Sequence, residues 1–435
     1  MATAVETVKL LCARLASESR GWGMLHIDVS RAYFHSDAVR PVLIELPAED
    51  YEDGDEYKVG VLQKSMYGTR DAALNWEREY CKTLAELGLD RGKSSGNLFK
   101  NMEQKTSLTV HGDDFVAVGP VKVLQGIAAR MESKYPVKVS IMSDMPGHVR
   151  ELRVLGRRIR WTTEGVVYEH DERHVQRILE QLELGQATPV RTPAVKQEQV
   201  HPEEDTPLRP GDATAYRALA ARMNYLAVDR PDVAFATKEI CKCMSNPMQR
   251  DWEKIKRVAR YLIKVPDLAA LFPWGSGEDP VLKVYTDSDW AGDRETRKST
   301  SAGCAMWCGG TIKHWTKQQK VIAKSSAEAE LYAATLAASE AKGLVATMRD
   351  LGIEVKIRLH IDAKATLFIL HRLGPGKMKH VEVHHLWLQH EVRAKKIELV
   401  KIGTEDNPAD LGTKALDEAR MVRHWEFMNH FQPTR

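Results

Sequence analysis

From residue 281 onward the sequence alternates short apolar strands with helices, and this alternation constrains the fold more than any other feature. The spacing predicts strands near 281–287, 301–308 and 311–316, a long helix at about 326–350 and a strand at 356–361. A strand buries one face and a helix one stripe, so such elements must pack in layers. The pattern therefore predicts an α/β sandwich with a mixed sheet.

Four acids in this region stand at strand ends and helix starts. Asp287 ends the strand VLKVYTD, Asp362 ends KIRLHID, Glu330 lies in the first turns of the long helix, and Asp410 opens a late helix in NPADLGTK. Acids at such positions project from the rim of a sheet and can converge. Two Mg²⁺ ions about 4 Å apart need several carboxylates, and such a pair can activate water in phosphodiester cleavage. The four acids therefore predict a metal-dependent nuclease site.

The two strand-end acids also have structural alternatives. The run DSDWAGD, which starts at Asp287, resembles a calcium loop. It fails that pattern because Ala291 and Lys298 stand where ligands are needed. Asp362 can simply cap the helix that follows it.

The two helix acids have alternatives of the same kind. Ser325 and Glu328 form a capping box, which gives Glu328 a structural role and leaves Glu330 as the free acid. Asp410 follows an Asn-Pro pair suited to a helix start, so it can be a favourable first-turn acid. Each acid taken alone remains open, whereas the set of four favours the metal site.

Basic side chains occur where a nucleic acid would pass. Residues 311–324 hold four lysines, one tryptophan and no acid, and residues 393–401 add further basic side chains. Cations interleaved with an aromatic ring suit a phosphate track, for which Lys313, Trp315 and Lys317 are the candidate contacts. An ordinary solvated face is the alternative for either run.

The N-terminal half contains a second group of candidate elements. The segment MLHIDV at 24–29 predicts a buried strand that ends in an acid, and 72–88 predicts a helix. Residues 106–118 predict a β-hairpin with Gly-Asp-Asp at its turn. Five prolines in 186–212 mark a linker, and 213–264 predicts three helices.

Composition excludes several classes of protein. With 63 basic and 60 acidic residues the net charge is only +3, so a positive surface must come from local clustering. The six cysteines contain no CxxC pair, which favours reduced thiols and a cytosolic or nuclear compartment. The longest apolar runs fall well short of the roughly 18 residues that span a bilayer, so we expect no membrane partner.

The nuclease-like region resembles the ribonuclease H domain of copia-type LTR retrotransposon polyproteins. The resemblance is carried by YTDSDWAGDRETRKSTSAGCAMWCGGTIKHWTKQQKVIAKSSAEAELYAAT, and IDAKATLFILHR, KHVEVHHLWLQHEV and TEDNPADLGTKAL continue it in order. The family's four metal-binding acids fall on Asp287, Glu330, Asp362 and Asp410. The resemblance implies a two-metal site that uses Mg²⁺ or Mn²⁺ and cleaves the RNA strand of an RNA–DNA hybrid.

Upstream segments resemble the reverse transcriptase of the same family. They are MLHIDVSRAYFHSDAVRPVLIELP, VLQKSMYGTRDAALNWEREY and HGDDFVAVG, followed by the helical segment between polymerase and nuclease. The resemblance implies that Asp28, Asp113 and Asp114 hold two metal ions that activate a primer 3′-hydroxyl. It also implies that Tyr33 lies under the incoming sugar and that Gly68 lets template or nucleotide approach the backbone. A plain hairpin turn is the alternative for the aspartate pair.

Two departures from the family pattern affect the polymerase half. Only 27 residues precede Asp28, and they predict a helix where the family has a strand-rich fingers segment. Protease and integrase regions are missing as well, so the chain resembles an N-terminally truncated fragment of a polyprotein. His111 and Gly112 replace an aromatic and an aliphatic residue before the aspartate pair, and glycine should loosen a strand there at a cost of about 1 kcal/mol.

We therefore expect an α/β and α+β multidomain protein in which a polymerase palm, a partial right hand, precedes a helical connection and a ribonuclease H-like mixed-sheet domain. The expected divisions are a palm-like domain lacking most of the fingers at 1–185, a linker at 186–212, a helical thumb or connection at 213–280, a ribonuclease H-like domain at 281–416 and a tail at 417–435.

The expected function is RNA-directed DNA polymerase and ribonuclease H, with the polymerase activity doubtful because of the truncation. The expected partners are an RNA–DNA hybrid, an RNA template, a DNA primer and deoxynucleotides, with two metal ions per active site. The family resemblance also implies a virus-like particle as the site of action. The alternative is an inactive or repurposed retroelement remnant that binds nucleic acid.

Overall fold

The computed structural model describes residues 3–18, 21–55, 57–196, 205–277, 279–376 and 378–433. The helices in chain order are α1 (Ala4–Ser17), α2 (Ala72–Glu86), α3 (Val121–Lys134), α4 (Glu172–Gln181), α5 (Pro210–Leu226), α6 (Pro231–Lys242), α7 (Gln249–Lys264), α8 (Ser326–Asp350), α9 (Lys364–His371), α10 (Trp387–Arg393) and α11 (Glu418–Phe427).

The strands in chain order are β1 (Trp22–Val29), β2 (Leu43–Glu45), β3 (Val59–Val61), β4 (Asp90–Arg91), β5 (Leu98–Asn101), β6 (Thr106–His111), β7 (Asp114–Pro120), β8 (Val137–Met142), β9 (Glu151–Val154), β10 (Arg157–Trp161), β11 (Gly165–Glu169), β12 (Ala269–Pro273), β13 (Val281–Ser288), β14 (Thr300–Trp307), β15 (Gly310–Gln318), β16 (Lys356–Ile361), β17 (Ile397–Lys401) and β18 (His430–Phe431). These elements form two compact units. Within the described residues the first unit contains 21–154 and 347–353, and the second contains 3–18, 155–346 and 354–433.

The first unit is built on a six-stranded sheet with the order β4-β5-β6-β7-β1-β8. Strand β1 lies between β7 and β8 and pairs antiparallel with both. Helix α2 buries Trp76, Tyr80 and Leu84 in a core that also contains Ile27 and Phe115. The sequence predicts this strand, helix and hairpin, and the structure confirms an antiparallel sheet covered by helices.

The second unit contains a five-stranded mixed sheet with the order β15-β14-β13-β16-β17. Strands β13, β14 and β15 pair antiparallel, whereas β16 pairs parallel with β13 and β17 pairs parallel with β16. The 25-residue helix α8 provides the connection from β15 to β16. This arrangement confirms the predicted α/β fold with a mixed sheet.

Helices α5, α6 and α7 share one hydrophobic core with residues of the nuclease-like region. Tyr216 and Tyr261 of the helices belong to the same buried cluster as Tyr285 of β13 and Trp425 of α11. The predicted division at residue 280 therefore does not separate two compact units. Residues 155–185, which we assign to the palm on sequence, likewise group with the second unit.

Several elements of the second unit are not predicted from the sequence, namely strands β10, β11, β12 and β18 and helix α11. The segment 265–280, predicted as a break, contains β12, which pairs with β11 on one side and with β18 on the other. Residues 417–433, predicted as a tail, form α11 and β18 and bury Met421 and Trp425. Prolines and glycines flank β12, so five apolar residues carry too little periodicity to predict it.

The predicted linker at 186–212 is described only in part, because residues 197–204 lie outside the described residues. The predicted N-terminal helix is confirmed as α1, which is buried almost all round, and its Lys9 contacts Asp229 at 2.9 Å. All six cysteines are free thiols. In the described part of the chain, no helix combines the length and the apolarity that crossing a membrane requires.

Candidate active sites

Asp287 and Asp362 lie at the same edge of the mixed sheet. Thr286 of β13 and Ile361 of β16 are register partners in a parallel pair, and each acid is the next residue along its strand. Parallel strands end at one edge of a sheet, which brings side chains 75 residues apart in sequence to neighbouring positions. The sheet topology alone therefore places these two carboxylates side by side.

Glu330 reaches this edge from the second turn of α8. Its Oε1 accepts a hydrogen bond from the backbone N–H of Ser288 at 3.1 Å, which ties the helix to the end of β13. One carboxylate oxygen from each of Asp287, Glu330 and Asp362 lies within 4.8 Å of the other two. Three acids predicted from strand ends and a helix start thus converge in one cluster.

Asp410 is held beside the cluster by its neighbour Asn407. The Asn407 amide donates a 3.0 Å hydrogen bond to the Thr286 carbonyl, and its oxygen accepts from the Ala409 N–H at 3.2 Å. Asp410 therefore sits in a short 3₁₀ helix, Pro408–Gly412, whose start is fixed to β13. The Asn-Pro pair works as the sequence predicts, and it positions the fourth acid.

Burial and mutual repulsion disfavour the ionised form of these acids. Burial raises the pKa of Asp287 well above its usual range, and the charges of Glu330 and Asp410 raise it further. Burial followed by the charge of Asp362 raises the pKa of Glu330. The pKa of Asp362 is raised as well, again first by burial. A cluster of this kind binds a cation readily, because the cation removes the repulsion.

Two buried oxygens in the cluster indicate whether a metal ion fits this site. Oε2 of Glu330 and Oδ1 of Asp410 are buried, and neither has a hydrogen-bond partner among the described residues. Buried carboxylate oxygens without a partner are costly unless a cation or water satisfies them. An all-oxygen donor set is also the set that Mg²⁺ and Mn²⁺ prefer. The residues present therefore fit a hard divalent cation.

Three residues of this site are not predicted from the sequence. The Thr413 hydroxyl donates to Asp287 Oδ2 at 2.5 Å, and Lys414 Nζ contacts Asp410 Oδ2 at 2.8 Å. Ser288 supplies the backbone N–H that Glu330 accepts. Lys414 follows Asp410 by four residues, a spacing that could have identified this ion pair.

Glu328 has the separate structural role that the sequence predicts. Its backbone N–H donates to Ser325 Oγ at 3.2 Å, and its carboxylate contacts Tyr332 Oη at 2.7 Å and His380 Nε2 at 2.9 Å. With its oxygens engaged in this way, Glu328 lies outside the acid cluster. The distinction between Glu328 and Glu330 agrees with the structure.

The predicted phosphate track does not fit the structure at two of its three residues. Lys313 Nζ lies 2.8 Å from Glu6 and 2.9 Å from Glu340, so its charge is already neutralised. Trp315 is only 5% exposed. Lys317 is exposed, but it also pairs with Glu340, at 2.7 Å. Helix α1 packs on β15, which is why a basic strand becomes an internal ion-pair network rather than an open surface.

The three acids predicted for a polymerase site lie at neighbouring backbone positions, Asp28 on β1 and the other two at the turn of the β6–β7 hairpin. Asp28 of β1 is the register partner of Asp114, and the Val29 N–H donates to the Asp113 carbonyl at 3.0 Å. Gly112 occupies the hairpin turn with φ +68°. The three acids therefore share one edge of the palm sheet, as the hairpin and strand predict.

Gly112 requires a correction. We predict from the sequence that it loosens a strand, but it lies in a two-residue turn at a positive φ that glycine adopts without strain. The turn is also anchored, because Trp76 Nε1 donates to the Gly112 carbonyl at 2.9 Å. The residue favours the hairpin that carries the aspartates and does not weaken it.

The polymerase acids are less tightly gathered than the nuclease acids. Within the residues that the structure describes, the nuclease cluster is the one group of three potential ligands whose atoms all lie within 4.8 Å. Asp114 Oδ1 is engaged by His26 Nε2 at 2.9 Å, and Asp113 is exposed at the turn. His26 precedes Asp28 by two residues and faces the same side of β1, a spacing that could have identified it.

The two predicted nucleotide-facing residues lie in the same unit as these acids. Tyr33 stacks on Tyr67 with ring centroids 4.4 Å apart. Gly68 follows directly with φ +90°, and a Cβ there would meet nothing within 4 Å. The loop is open around Gly68, and the roles of both residues stay predictions.

Known proteins are similar to this chain over most of its length. The family described as reverse transcriptase (RNA-dependent DNA polymerase) matches residues 2–196. The retrovirus-related Pol polyprotein from transposon TNT 1-94 of Nicotiana tabacum is 28% identical over 431 residues, which cover 95% of this chain and 31% of that protein. The Pol polyprotein from transposon RE1 of Arabidopsis thaliana is 25% identical over 404 residues, covering 91% and 27%.

A solved structure shares the fold. The foamy viral protease-reverse transcriptase, in complex with an RNA/DNA hybrid, matches with a TM-score of 0.50 and 12% identity over 92% of this chain and 46% of that chain. The chain spans less than a third of the length of the TNT 1-94 and RE1 polyproteins. The family model matches residues 2–196, and the plant polyproteins match through nearly the whole sequence, so this chain is similar to the Pol polyproteins of copia-type retrotransposons.

Proposed function

We propose that the second unit is a ribonuclease H that cleaves the RNA strand of RNA–DNA hybrids. The observation that carries the proposal is the convergence of Asp287, Glu330 and Asp362 within 4.8 Å at one sheet edge. Asp410 stands beside them with an unpartnered buried oxygen. Carboxylates on a rigid sheet, a long helix and a pinned 3₁₀ turn provide the fixed geometry that cleavage chemistry needs.

The four acids would hold two Mg²⁺ or Mn²⁺ ions. When bound, such ions generate a nucleophile from water and stabilise the leaving oxygen of a phosphodiester. Thr413 would fix the orientation of the Asp287 carboxylate through its hydroxyl. Lys414, half-exposed beside Asp410, would offset part of the negative charge before the ions bind.

Cleavage of a labelled RNA–DNA hybrid tests the nuclease proposal. We expect Mg²⁺- or Mn²⁺-dependent cleavage of the RNA strand and its loss in Asp287→Asn. A matched control is Asp279→Asn, which changes a partly exposed acid at the start of the same strand and should leave cleavage intact. An intact hybrid with the wild-type protein, at low salt and with either metal, contradicts the proposal.

The first unit supports a second proposed activity, RNA-directed DNA polymerisation. Asp28, Asp113 and Asp114 share one edge of the palm, and Trp76 anchors the hairpin that carries two of them. They would hold the metal ions, while a primer, an RNA template and deoxynucleotides occupy the palm. Extension of a DNA primer on an RNA template measures this activity separately, with Asp114→Asn as the inactive control.

The two assays also distinguish the alternative of a repurposed remnant. A protein that binds the hybrid with salt-dependent affinity but neither cleaves nor extends it would be a nucleic-acid-binding protein only. The intact and convergent nuclease acids favour catalysis. Action in the cytoplasm, in the nucleus or within a virus-like particle stays a prediction from the family resemblance.

A further inference from the structure

An exposed tryptophan projects from the loop that follows the first nuclease acid. Trp290 is 57% exposed, three residues beyond Asp287. Its ring is nevertheless fixed, because Nε1 donates to the Ala323 carbonyl at 3.1 Å. The exposed side chains of Val321 and Ile322 precede that carbonyl directly. A cluster of exposed apolar side chains rimmed by polar residues is typical of an interaction site.

Hydrogen bonds and an ion pair hold the loop around Trp290 in place. Ala291 takes a positive φ of +54°, and its N–H donates to Ser299 Oγ at 3.0 Å. The Asp293 carboxylate accepts from the Thr296 N–H and pairs with Lys242 at 2.6 Å. These contacts fix the ring in one position relative to β13, and hence relative to the acid cluster.

Cations without partners surround this loop. Arg294, Arg297, Lys320 and Lys324 are exposed, and within the part of the chain that the structure describes none of their side chains makes an ion pair. They differ in this respect from Lys313 and Lys317 on the preceding strand, which pair with Glu340. One exposed acid, Glu295, lies among them. The loop therefore carries a net positive charge beside an apolar ring.

We propose that Trp290, Val321 and Ile322, with the four unpaired cations, form the surface that binds the nucleic-acid strand at the nuclease site. The ring would take the face of a base or sugar, and the cations would take the flanking phosphates. This surface is called the tryptophan platform below. It rests on the proposed nuclease function, since it assigns the substrate-binding surface of that same site.

The charge pattern favours nucleic acid over a protein partner. Protein interfaces exclude charged side chains from their centre, whereas four unpaired cations around one ring match a strand with a phosphate on each nucleotide. Any base can stack on an aromatic ring, so the surface would bind a strand of any sequence. The platform also corrects the predicted track, because Lys320 and Lys324 from the same basic run stay free while Lys313 and Lys317 do not.

Binding to a short fluorescein-labelled RNA–DNA hybrid tests the platform. The full-length Asp287→Asn protein keeps the probe intact, and anisotropy is measured for this background alone and with Trp290→Ala or Trp290→Phe. We expect Trp290→Ala to weaken binding about tenfold, or about 1.4 kcal/mol, and Trp290→Phe to recover most of the loss. Phe427→Ala, which removes an exposed aromatic ring on α11, is the control and should bind like the background.

Salt dependence tests the cations. Changing Arg294, Arg297, Lys320 and Lys324 to glutamine should lower the slope of log Kd against log salt by about 0.7 to 0.9 for each lost phosphate contact. The control changes four cations of the same unit that already have acidic partners, and it should leave the slope unchanged. These are Lys256, Lys283, Arg358 and Arg420.

The outcomes distinguish failure of the platform proposal from failure of the nuclease proposal. Unchanged affinity in Trp290→Ala together with an unchanged salt slope overturns the platform, even if the wild-type protein cleaves the hybrid. Platform-dependent binding without cleavage by the wild-type protein overturns the nuclease and keeps the platform. If Trp290→Ala instead converts a dimer to a monomer in sedimentation and leaves hybrid affinity intact, the surface joins two copies of the chain and the proposal is wrong.

Discussion

Asp287→Asn should make the metal-free protein more stable at neutral and alkaline pH, although it removes a site residue. Asp287, Glu330 and Asp362 lie within 4.8 Å of one another and are largely buried. Two unit charges at that distance repel by about 3.5 kcal/mol at an effective dielectric constant of about 20. Asparagine removes the charge of Asp287, keeps an oxygen for the Thr413 hydroxyl and adds an N–H for the neighbouring carboxylates.

The expected gain is about 2–4 kcal/mol, since Lys414 and partial protonation already relieve some of the repulsion. For a folded unit of this size that gain corresponds to about 5–10 °C in melting temperature. Carboxyl groups whose folded pKa is raised stabilise the protein below their unfolded pKa, and this stabilisation is lost as pH rises through the folded values. The difference between variant and wild type should therefore be small near pH 4 and largest near pH 8.

Thermal unfolding in EDTA, followed by circular dichroism from pH 4 to pH 8, measures this difference. Adding Mg²⁺ should raise the melting temperature of the wild-type protein at pH 8 and change Asp287→Asn much less, because a ligand stabilises only a state that binds it. Asp293→Asn is the matched control, and we expect it to lower the stability of the protein instead of raising it. Burial opposes ionisation of Asp293, but the contact from Lys242 lowers its pKa overall, so this variant should lose stability above about pH 4. An Asp287→Asn protein that melts at or below wild type at pH 8 in EDTA would refute the argument from repulsion.

Two further predictions concern the backbone turn and the buried ion network. Gly112→Ala should cost about 1 kcal/mol and reduce primer extension, because φ is +68° although a Cβ would meet nothing within 4 Å. Gly126→Ala, in the interior of α3 with equal space, should instead stabilise by about 0.5–1 kcal/mol, and urea unfolding compares the two. Asp229→Asn should cost about 3–5 kcal/mol, because it leaves Lys9 and Arg157, at 2.9 and 3.0 Å, buried without their counter-ion. Burial opposes ionisation of Asp229, but the two cations lower its pKa to about 2, so the stability it contributes is present above about pH 4 and is lost as pH falls toward 2.

The sequence predicts the mixed sheet and its acids well because their signals are local. Asp287 and Asp362 each end an apolar strand, and β16 runs in the same direction as β15 and β13 because helix α8 returns the chain from β15 to β16. Once the strands are parallel, the convergence of the acids requires no further information. Strand β12 and helix α11 are missed for the opposite reason, since a short flanked strand and a terminal helix depend on distant partners for their stability.

The basic run at 311–324 shows where prediction from sequence ends. Lys313 and Lys320 have the same chemistry and lie seven residues apart in one segment. Lys313 is neutralised between two glutamates, whereas Lys320 pairs with no acid in the described part of the chain. What separates them is α1, which brings Glu6 against β15 from more than 300 residues away. The charge that a surface offers to a nucleic acid is the charge left after internal pairing, and that pairing is a property of the tertiary fold. The surface that we propose for nucleic-acid binding is therefore defined by the cations that have no acidic partner among the described residues.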